Sequence, residues 1–200
     1  MKTPLRYQFS EYDCGPTSLQ NALSFLFDRE AIPPEVLRGI SLYCLDGFND
    51  EGISGKTGTS ATAMMFISNW LTCFRKTGRL PISCRYLSGS DVHLEEGSQI
   101  LEALRQGGVV VQRLYLDVGH YILLTGVEGD FIQAFDPYHW EGGYDDPAVE
   151  VVSDHPSAYN RRIPLRVLNS EGVEDYSLGP VDKREAVLLF NDEAAGTNLP

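Results

Sequence analysis

Residues 9–27 read FSEYDCGPTSLQNALSFLF and place a cysteine, a glycine and a proline directly before a stretch with helical periodicity. Apolar side chains recur at the i, i+3, i+4, i+7 spacing of one helical face, at Leu19, Ala22, Leu23 and Leu26. The spacing predicts a helix from about Pro16 to Phe27, with the proline in its first turn. Cys14 would then lie at the positive end of a helix dipole, where a thiolate is stabilised. From this stretch alone, Cys14 is either a nucleophile or a small buried hydrophobic residue.

Helix patterns occupy the first half of the chain and strand patterns the second. Further helices are predicted after Pro34, from Thr59 or Ser60 to Thr77, and over residues 98–106. Runs of β-branched and aromatic residues predict strands at 109–115, 121–127, 131–135 and 185–190, with weaker strand patterns at 149–152 and 163–168. Helices first and strands later favour an α+β protein.

The chain has 200 residues, a length that suits a single domain. We expect a mainly helical lobe at 1–107 and a mainly β lobe at 108–190. The β lobe contains an acidic, turn-rich segment at about 140–180. The last residues, 191–200, are expected to fray.

The formal net charge is −12 and lies entirely in the later part of the chain. Residues 1–80 carry eight acidic and eight basic side chains, whereas residues 81–200 carry twenty acidic and eight basic ones. A negative field repels phosphates, so nucleic acid and anionic membranes are poor partners and a basic or neutral peptide is favoured. No apolar run approaches the roughly 20 residues that span a bilayer, and no signal peptide is recognisable, so we expect a cytoplasmic protein. The oligomeric state is not indicated.

The cysteines and histidines show none of the spacings of a metal site, so neither a metal nor another cofactor is expected. Cys44, Cys73 and Cys84 stand among apolar neighbours and are predicted to pack in the core. The sequence around Lys56 superficially suggests a phosphate-binding loop, but that motif needs a glycine at position 50, where this chain has Asp50.

His120 is the histidine best placed to act as a base. It begins the strand pattern YILLTGV, whereas His93 and His155 stand in acidic, turn-like surroundings typical of solvated side chains. His139 is an alternative base. A thiolate needs such a partner for nucleophilic catalysis.

Asp136 can meet His120 if the turn between the two strands has the right length. A three-residue turn at 128–130 would make Val127 face Phe131 and place His120 and Asp136 on the same face as diagonal neighbours, about 7 Å apart or less. A two-residue turn would put them on opposite faces. An acceptor at Asp136 would hold the orientation and tautomer of the imidazole.

Gln8 stands six residues before Cys14. An acyl-transfer site needs a second donor for the developing negative oxygen, in addition to a backbone N–H at the helix start. The side-chain amide of Gln8 could supply it. The alternative is an ordinary surface glutamine.

Two segments resemble the motifs of a known family, peptidase C39, a branch of the papain-like cysteine peptidases. In residues 8–19, QFSEYDCGPTSL, a glutamine is followed by five residues ending in aspartate, then by Cys-Gly and a leucine four positions after the glycine. In residues 119–137, GHYILLTGVEGDFIQAFDP, a histidine opens one strand and Asp-Pro closes the next. The similarity covers about residues 7–27 and 98–137.

The resemblance implies a papain-like fold, with a helical lobe led by the cysteine helix and packed on a twisted antiparallel sheet. It implies that Cys14 is the nucleophile, His120 the general base and acid, Asp136 the orienting carboxylate and Gln8 the oxyanion donor. The chain resembles the stand-alone members, because it has no transporter domains. Residues 46–98 look expanded and residues 140–180 have no counterpart, so a substrate preference is not carried over.

We therefore expect a cysteine hydrolase that cleaves a peptide or amide bond in a peptide or protein substrate. An acyltransferase would use the same thioester chemistry with an amine in place of water. A protein of another class, a module that binds a peptide without cutting it, would use the same scaffold. A pure binder has no chemical need for all four site residues together.

Overall fold

The computed structural model describes residues 1–140 and 142–194. Most of the predicted frayed tail, residues 195–200, lies outside the described residues. The five α-helices of the described part are α1 (Cys14–Leu26), α2 (Pro34–Cys44), α3 (Ala61–Phe74), α4 (Gln99–Arg105) and α5 (Leu165–Leu168). Its seven strands are β1 (Ile82–Ser88), β2 (Val109–Leu116), β3 (Val118–Glu128), β4 (Phe131–Phe135), β5 (Glu150–Val151), β6 (Arg161–Pro164) and β7 (Glu185–Asn191).

Local sequence accounts for the ends of several helices. α2 has a proline in its first turn, where the missing N–H costs nothing. α3 and α4 each begin after a serine whose hydroxyl accepts a hydrogen bond from a backbone N–H of the first turn, at 3.1 Å for Ser60 and 3.2 Å for Ser98. α1 ends where Phe27 takes an extended backbone.

All strands form one antiparallel sheet in the order β1-β7-β2-β3-β4-β6-β5. The last strand of the described part, β7, therefore lies between β1 and β2. One face of the sheet packs against α1, α2 and α3, and the other against α4, α5 and residues around Tyr176. Because both faces are covered, β2 and β7 read as nearly continuous apolar runs.

The predicted α+β architecture, with an N-terminal helix packed on an antiparallel sheet, is confirmed. Two strand assignments differ. β1 was not predicted, and the pattern at 163–168 is strand only to Pro164, after which the chain turns into α5.

The three cysteines outside α1 differ in their exposure to solvent. Cys44 is buried and Cys84 is half-buried, but Cys73 is exposed, so its predicted burial is wrong. Cys73 is the penultimate residue of α3 and does not belong to the buried residues of that helix. No helix in the described ranges is long and apolar enough to cross a membrane.

Candidate active site

Cys14 is the first residue of α1, where the backbone N–H groups of the first turn point out of the helix. The residue is 7% exposed. The preceding Asp13 makes no side-chain cap, and its carboxylate instead accepts a hydrogen bond from the Ser10 hydroxyl at 2.8 Å. Gly15 is required by packing, because a Cβ there would lie 2.3 Å from Oγ1 of Thr59. The close approach of Thr59 to Gly15 thus fixes the start of α1. The side chain of Asp13 does not cover the first N–H groups of the helix.

The hairpin of β3 and β4 differs from the predicted one in the length of its turn and in a β-bulge. Each changes the strand register by one residue, and the two changes cancel beside the site. The turn has two residues, so Glu128 faces Phe131 and Val127 faces Ile132, and the predicted pairing of Val127 with Phe131 is wrong. A β-bulge at Thr125 then takes one extra residue on β3, so that Leu124 faces Ala134 and Leu123 faces Phe135. From Leu124 toward the site, this is the register that a plain three-residue turn would give.

This register joins His120 to Asp136. The Nε2 atom of His120 lies 2.8 Å from Oδ1 of Asp136. His120 is 6% exposed and Asp136 is fully buried. Since Nε2 is engaged by the carboxylate, Nδ1 is the ring nitrogen left to interact with Cys14, whose proximity raises the pKa of His120.

The carboxylate of Asp136 has donors on both oxygens. Oδ1 also accepts the backbone N–H of Tyr138 at 2.8 Å, and Oδ2 accepts the hydroxyl of Tyr176 at 2.7 Å. The side chain of Asn160 bonds both backbone groups of Asp136, at 2.8 Å and 2.9 Å. A buried carboxylate is stable only when it is satisfied in this way.

These contacts set the charges of the pair. Burial is the largest influence on His120 and lowers its pKa, but the carboxylate of Asp136 and, after it, the neighbouring Cys14 outweigh burial and raise the pKa to about 10. Burial likewise raises the pKa of Asp136, but His120, the Tyr176 hydroxyl and the Tyr138 N–H outweigh it and hold that pKa below its usual value. The site therefore favours an imidazolium facing a carboxylate.

Gln8 is brought to the same place by a backbone contact. Its N–H donates to the carbonyl of Pro137 at 2.9 Å, directly after Asp136. Its side-chain Nε2 donates one hydrogen to the carbonyl of Ser10 at 2.8 Å, and Oε1 is buried without a hydrogen-bond partner. Because an amide nitrogen carries two hydrogens, the second remains for another acceptor.

A cleft of about 490 Å³ opens beside His120 and Gln8. Its walls come from the N-terminal segment, the β2–β3 turn, the segment after β4 and the loop before β7. Three of the lining side chains, Glu11, Asp117 and Asp175, are acidic, and the lining contains no lysine or arginine. The remaining lining residues are Leu116, Val118, Tyr138 and Trp140.

The other histidines lie elsewhere. The ring of His139 stands edge-on to Tyr7, with centroids 5.4 Å apart, and lines a neighbouring cavity of about 390 Å³. His155 is exposed and pairs with Asp154, and His93 lies 4.0 Å from Glu95. Within residues 1–140 and 142–194, no group of three or more His, Cys, Asp or Glu side chains is placed to hold a metal ion.

Three residues that support the site were missed in the sequence. Asn160, Arg161 and Tyr176 all lie in the 140–180 segment, which showed only acidic and turn-rich character. Their spacing from Asp136 follows no periodicity, because β6 and the loop before β7 bring them back across the sheet. No local signal could have identified them.

No protein-family model and no curated protein matches the chain. Solved structures do align with nearly its whole length. A peptidase domain of Streptococcus mutans ComA is 14% identical and aligns over 94% of this chain and 98% of its own, with a TM-score of 0.40. A double-glycine-motif protease from an AMS/PCAT transporter, crystallised with the leader peptide, is 14% identical over 94% of this chain and 89% of its own, with a TM-score of 0.43.

A third structure, described as a C39-like peptidase from Bacillus anthracis, is 14% identical and aligns over 92% of this chain and 93% of its own, with a TM-score of 0.48. At this identity and these TM-scores, the alignments carry no functional weight. The chemistry of the site has to follow from its own side chains.

Proposed function

We propose that this protein is a cysteine hydrolase that cleaves a peptide or amide bond, with Cys14 as nucleophile. The observation that carries the proposal is the buried His120–Asp136 pair, joined at 2.8 Å, with its second ring nitrogen left for the thiol at the start of α1. A nucleophile, a base and an orienting carboxylate in this order are the components of covalent acyl transfer.

In the first half-reaction, the thiolate of Cys14 attacks the substrate carbonyl carbon. The oxyanion that forms accepts hydrogen bonds from the Cys14 backbone N–H and from Nε2 of Gln8. His120 donates the proton on Nδ1 to the leaving nitrogen, the C–N bond breaks and a thioester remains. In the second half-reaction, neutral His120 takes a proton from water, and the resulting hydroxide attacks the thioester and releases the acid and the thiolate.

The acidic lining of the cleft supports a substrate of peptide character with basic side chains near the scissile bond. Glu11, Asp117 and Asp175 line the same cleft as His120 and Gln8. In a confined cleft, side chains of one sign concentrate a partner of opposite charge.

The test is alkylation of Cys14 by iodoacetamide near pH 6, with the exposed Cys73 of the same molecule as the reference thiol. An ordinary thiol, with a pKa of about 8.5, is less than about 1% thiolate at this pH. An ion pair with His120 should therefore make Cys14 react at least about tenfold faster than Cys73. The advantage should vanish in His120→Ala.

Equal labelling of Cys14 and Cys73 would overturn the nucleophile assignment. A peptide mixture supplies the complementary measurement, with Cys14→Ala as the inactive control. Rapid labelling together with peptide binding but no cleavage would indicate a binding module, and product amides formed with an added amine would indicate acyl transfer.

A further inference from the structure

Tyr176 has an unusual backbone for a large residue. Its φ is +65°, in the left-handed region, which only it and Asp117 share among the non-glycine residues of the described ranges. Its side chain is completely buried. A bulky residue pays steric strain in this conformation, and such strain persists where the surroundings enforce it and often marks a functional position.

The surroundings of Tyr176 do enforce this conformation. Its N–H donates to the carbonyl of Tyr115 at 2.7 Å, and the N–H of Tyr115 donates back to the carbonyl of Ser177 at 2.9 Å. The N–H of Leu178 donates to the carbonyl of Leu168 at 2.8 Å. The segment is thus tied to β2 on one side and to α5 on the other, and the tyrosine hydroxyl reaches Asp136, directly after β4.

The hydroxyl of Tyr176 lies between a cation and an anion. Nε of Arg161 donates to it at 3.1 Å, and it lies 2.7 Å from Oδ2 of Asp136. Arginine has no acceptor and an ionised carboxylate has no hydrogen, so the direction of both bonds is fixed. The phenol accepts from Arg161 and donates to Asp136.

Arg161 is itself held in place behind the phenol. It is 3% exposed, and its Nε also donates to the hydroxyl of Tyr144 at 2.7 Å, while one of its terminal nitrogens donates to the carbonyl of Asn160 at 2.9 Å. A buried cation polarises the hydrogen bond that it feeds, because the local dielectric constant is low. Arg161 therefore strengthens the hydrogen bond that the Tyr176 hydroxyl donates to Asp136.

We propose that Tyr176, polarised by Arg161, is a positioning residue that holds Asp136 ionised and aimed at His120. This assignment rests on the proposed hydrolase and extends it to the 140–180 segment, which supplies both side chains. The phenol donates to Oδ2 of Asp136, whereas His120 and the Tyr138 N–H both bond Oδ1. Without the hydroxyl, a buried carboxylate oxygen loses its partner, and the carboxylate stabilises the imidazolium less well.

The test uses Tyr176→Phe, which removes only the hydroxyl, and Tyr86→Phe as the matched control. The hydroxyl of Tyr86 also donates to a carboxylate, but that carboxylate is Glu185, at 2.9 Å, and not Asp136. The primary readout is the NMR pH titration of the His120 ring, which needs no substrate. Tyr176→Phe should lower the midpoint of that titration by about one pH unit and reduce kcat about tenfold with little change in KM, since hydrogen bonds to charged groups have this size. Tyr86→Phe should leave both close to wild type.

An unchanged His120 midpoint in a folded Tyr176→Phe protein, even with a lower Tm, would overturn the proposal and leave the residue a structural role. If that variant does not fold, Arg161→Gln removes the polarising charge and retains the phenol. The midpoint should again fall, by a smaller amount, and an unchanged value would overturn the proposal equally. Slow Cys14 labelling in the wild-type protein would refute the hydrolase and leave the titration result standing.

Discussion

Nε2 of His120 lies 2.8 Å from Oδ1 of Asp136 because a β-bulge at Thr125 offsets a two-residue turn. Either feature alone would shift the pairing register of β3 and β4 by one residue. Since side chains alternate along a strand, such a shift would carry the imidazole and the carboxylate to opposite faces. Their contact is therefore determined five residues away from His120, in the middle of β3.

Replacement of Asp136 by asparagine should reduce kcat by about tenfold or more, because the amide carries no negative charge to stabilise the imidazolium. The amide oxygen can still accept a hydrogen bond from Nε2 of His120, so part of the activity should remain. Steady-state kinetics with a cleaved peptide give the measurement. Asp130→Asn in the exposed turn of the same hairpin is the control and should be unaffected. Activity within a few-fold of wild type in Asp136→Asn would exclude Asp136 from the site.

The stability contributed by His120 should fall as the pH rises. The pKa of His120 is raised from 6.5 to about 10, so its charged form stabilises the folded protein fully below about pH 6.5, and this contribution is lost as the pH rises through about 10. The pKa of Asp136 is lowered from 3.8, so its contribution is present above that value and is lost as the pH falls below it. The loss of unfolding free energy on His120→Gln should therefore be largest between about pH 4 and 6.5 and shrink toward pH 10.

Urea unfolding at several pH values measures this difference. His155→Gln, at an exposed histidine that also pairs with an aspartate, is the matched control and should cost little at any pH. A difference for His120→Gln that stays constant or grows from about pH 6.5 to 10 would contradict a buried imidazolium.

Removal of the Gln8 side chain should act on the chemical step. Gln8→Ala should lower kcat about 10²–10³-fold with little change in KM, because an oxyanion donor interacts mainly with the transition state. Gln20→Ala, which removes an amide bonded to Ser41 of α2, should have no such effect. A rise in KM at constant kcat would make Gln8 a substrate contact and not an oxyanion donor.

The cleft should prefer peptides with lysine or arginine near the scissile bond over matched peptides with glutamate. We expect a preference of about tenfold or more in kcat/KM at low ionic strength, decreasing as salt is added. Burial, and secondarily the carboxylates of Asp145 and Asp117, raise the pKa of Asp175, so the preference should also weaken as the pH is lowered.

The double variant Glu11→Gln, Asp175→Asn should lose most of this preference. Glu96→Gln, at an exposed glutamate paired with Arg105, changes the net charge without touching the cleft and should retain it. A preference that survives in the double variant would place substrate selection elsewhere.

The parts of the molecule that local sequence controls were predictable. Apolar spacing located α1 and placed Cys14 at its start, and β-branched runs located β2, β3 and β4. The register beside the site was predicted, although through a turn of the wrong length, because the bulge compensates for it. Sequence periodicity does not reveal a bulge.

The remaining features depend on contacts between distant parts of the chain. β1 is a strand because β7 pairs with it along its full length, although about a hundred residues separate the two. Tyr176 supports Asp136 through a fold that returns the 140–180 segment to the sheet. Such positions carry no local pattern, so composition alone described that segment as acidic and turn-rich.

The place of β7 in the sheet has a consequence for the synthesis of the protein. The strand order requires Glu185–Asn191 to enter between β1 and β2 before the sheet can close. During translation Cys14 emerges before β7, and the sheet that carries His120 stays incomplete until β7 has emerged. We therefore expect a nascent chain that lacks β7 to expose an ordinary thiol, and the proposed reactivity of Cys14 to follow only after β7 has paired.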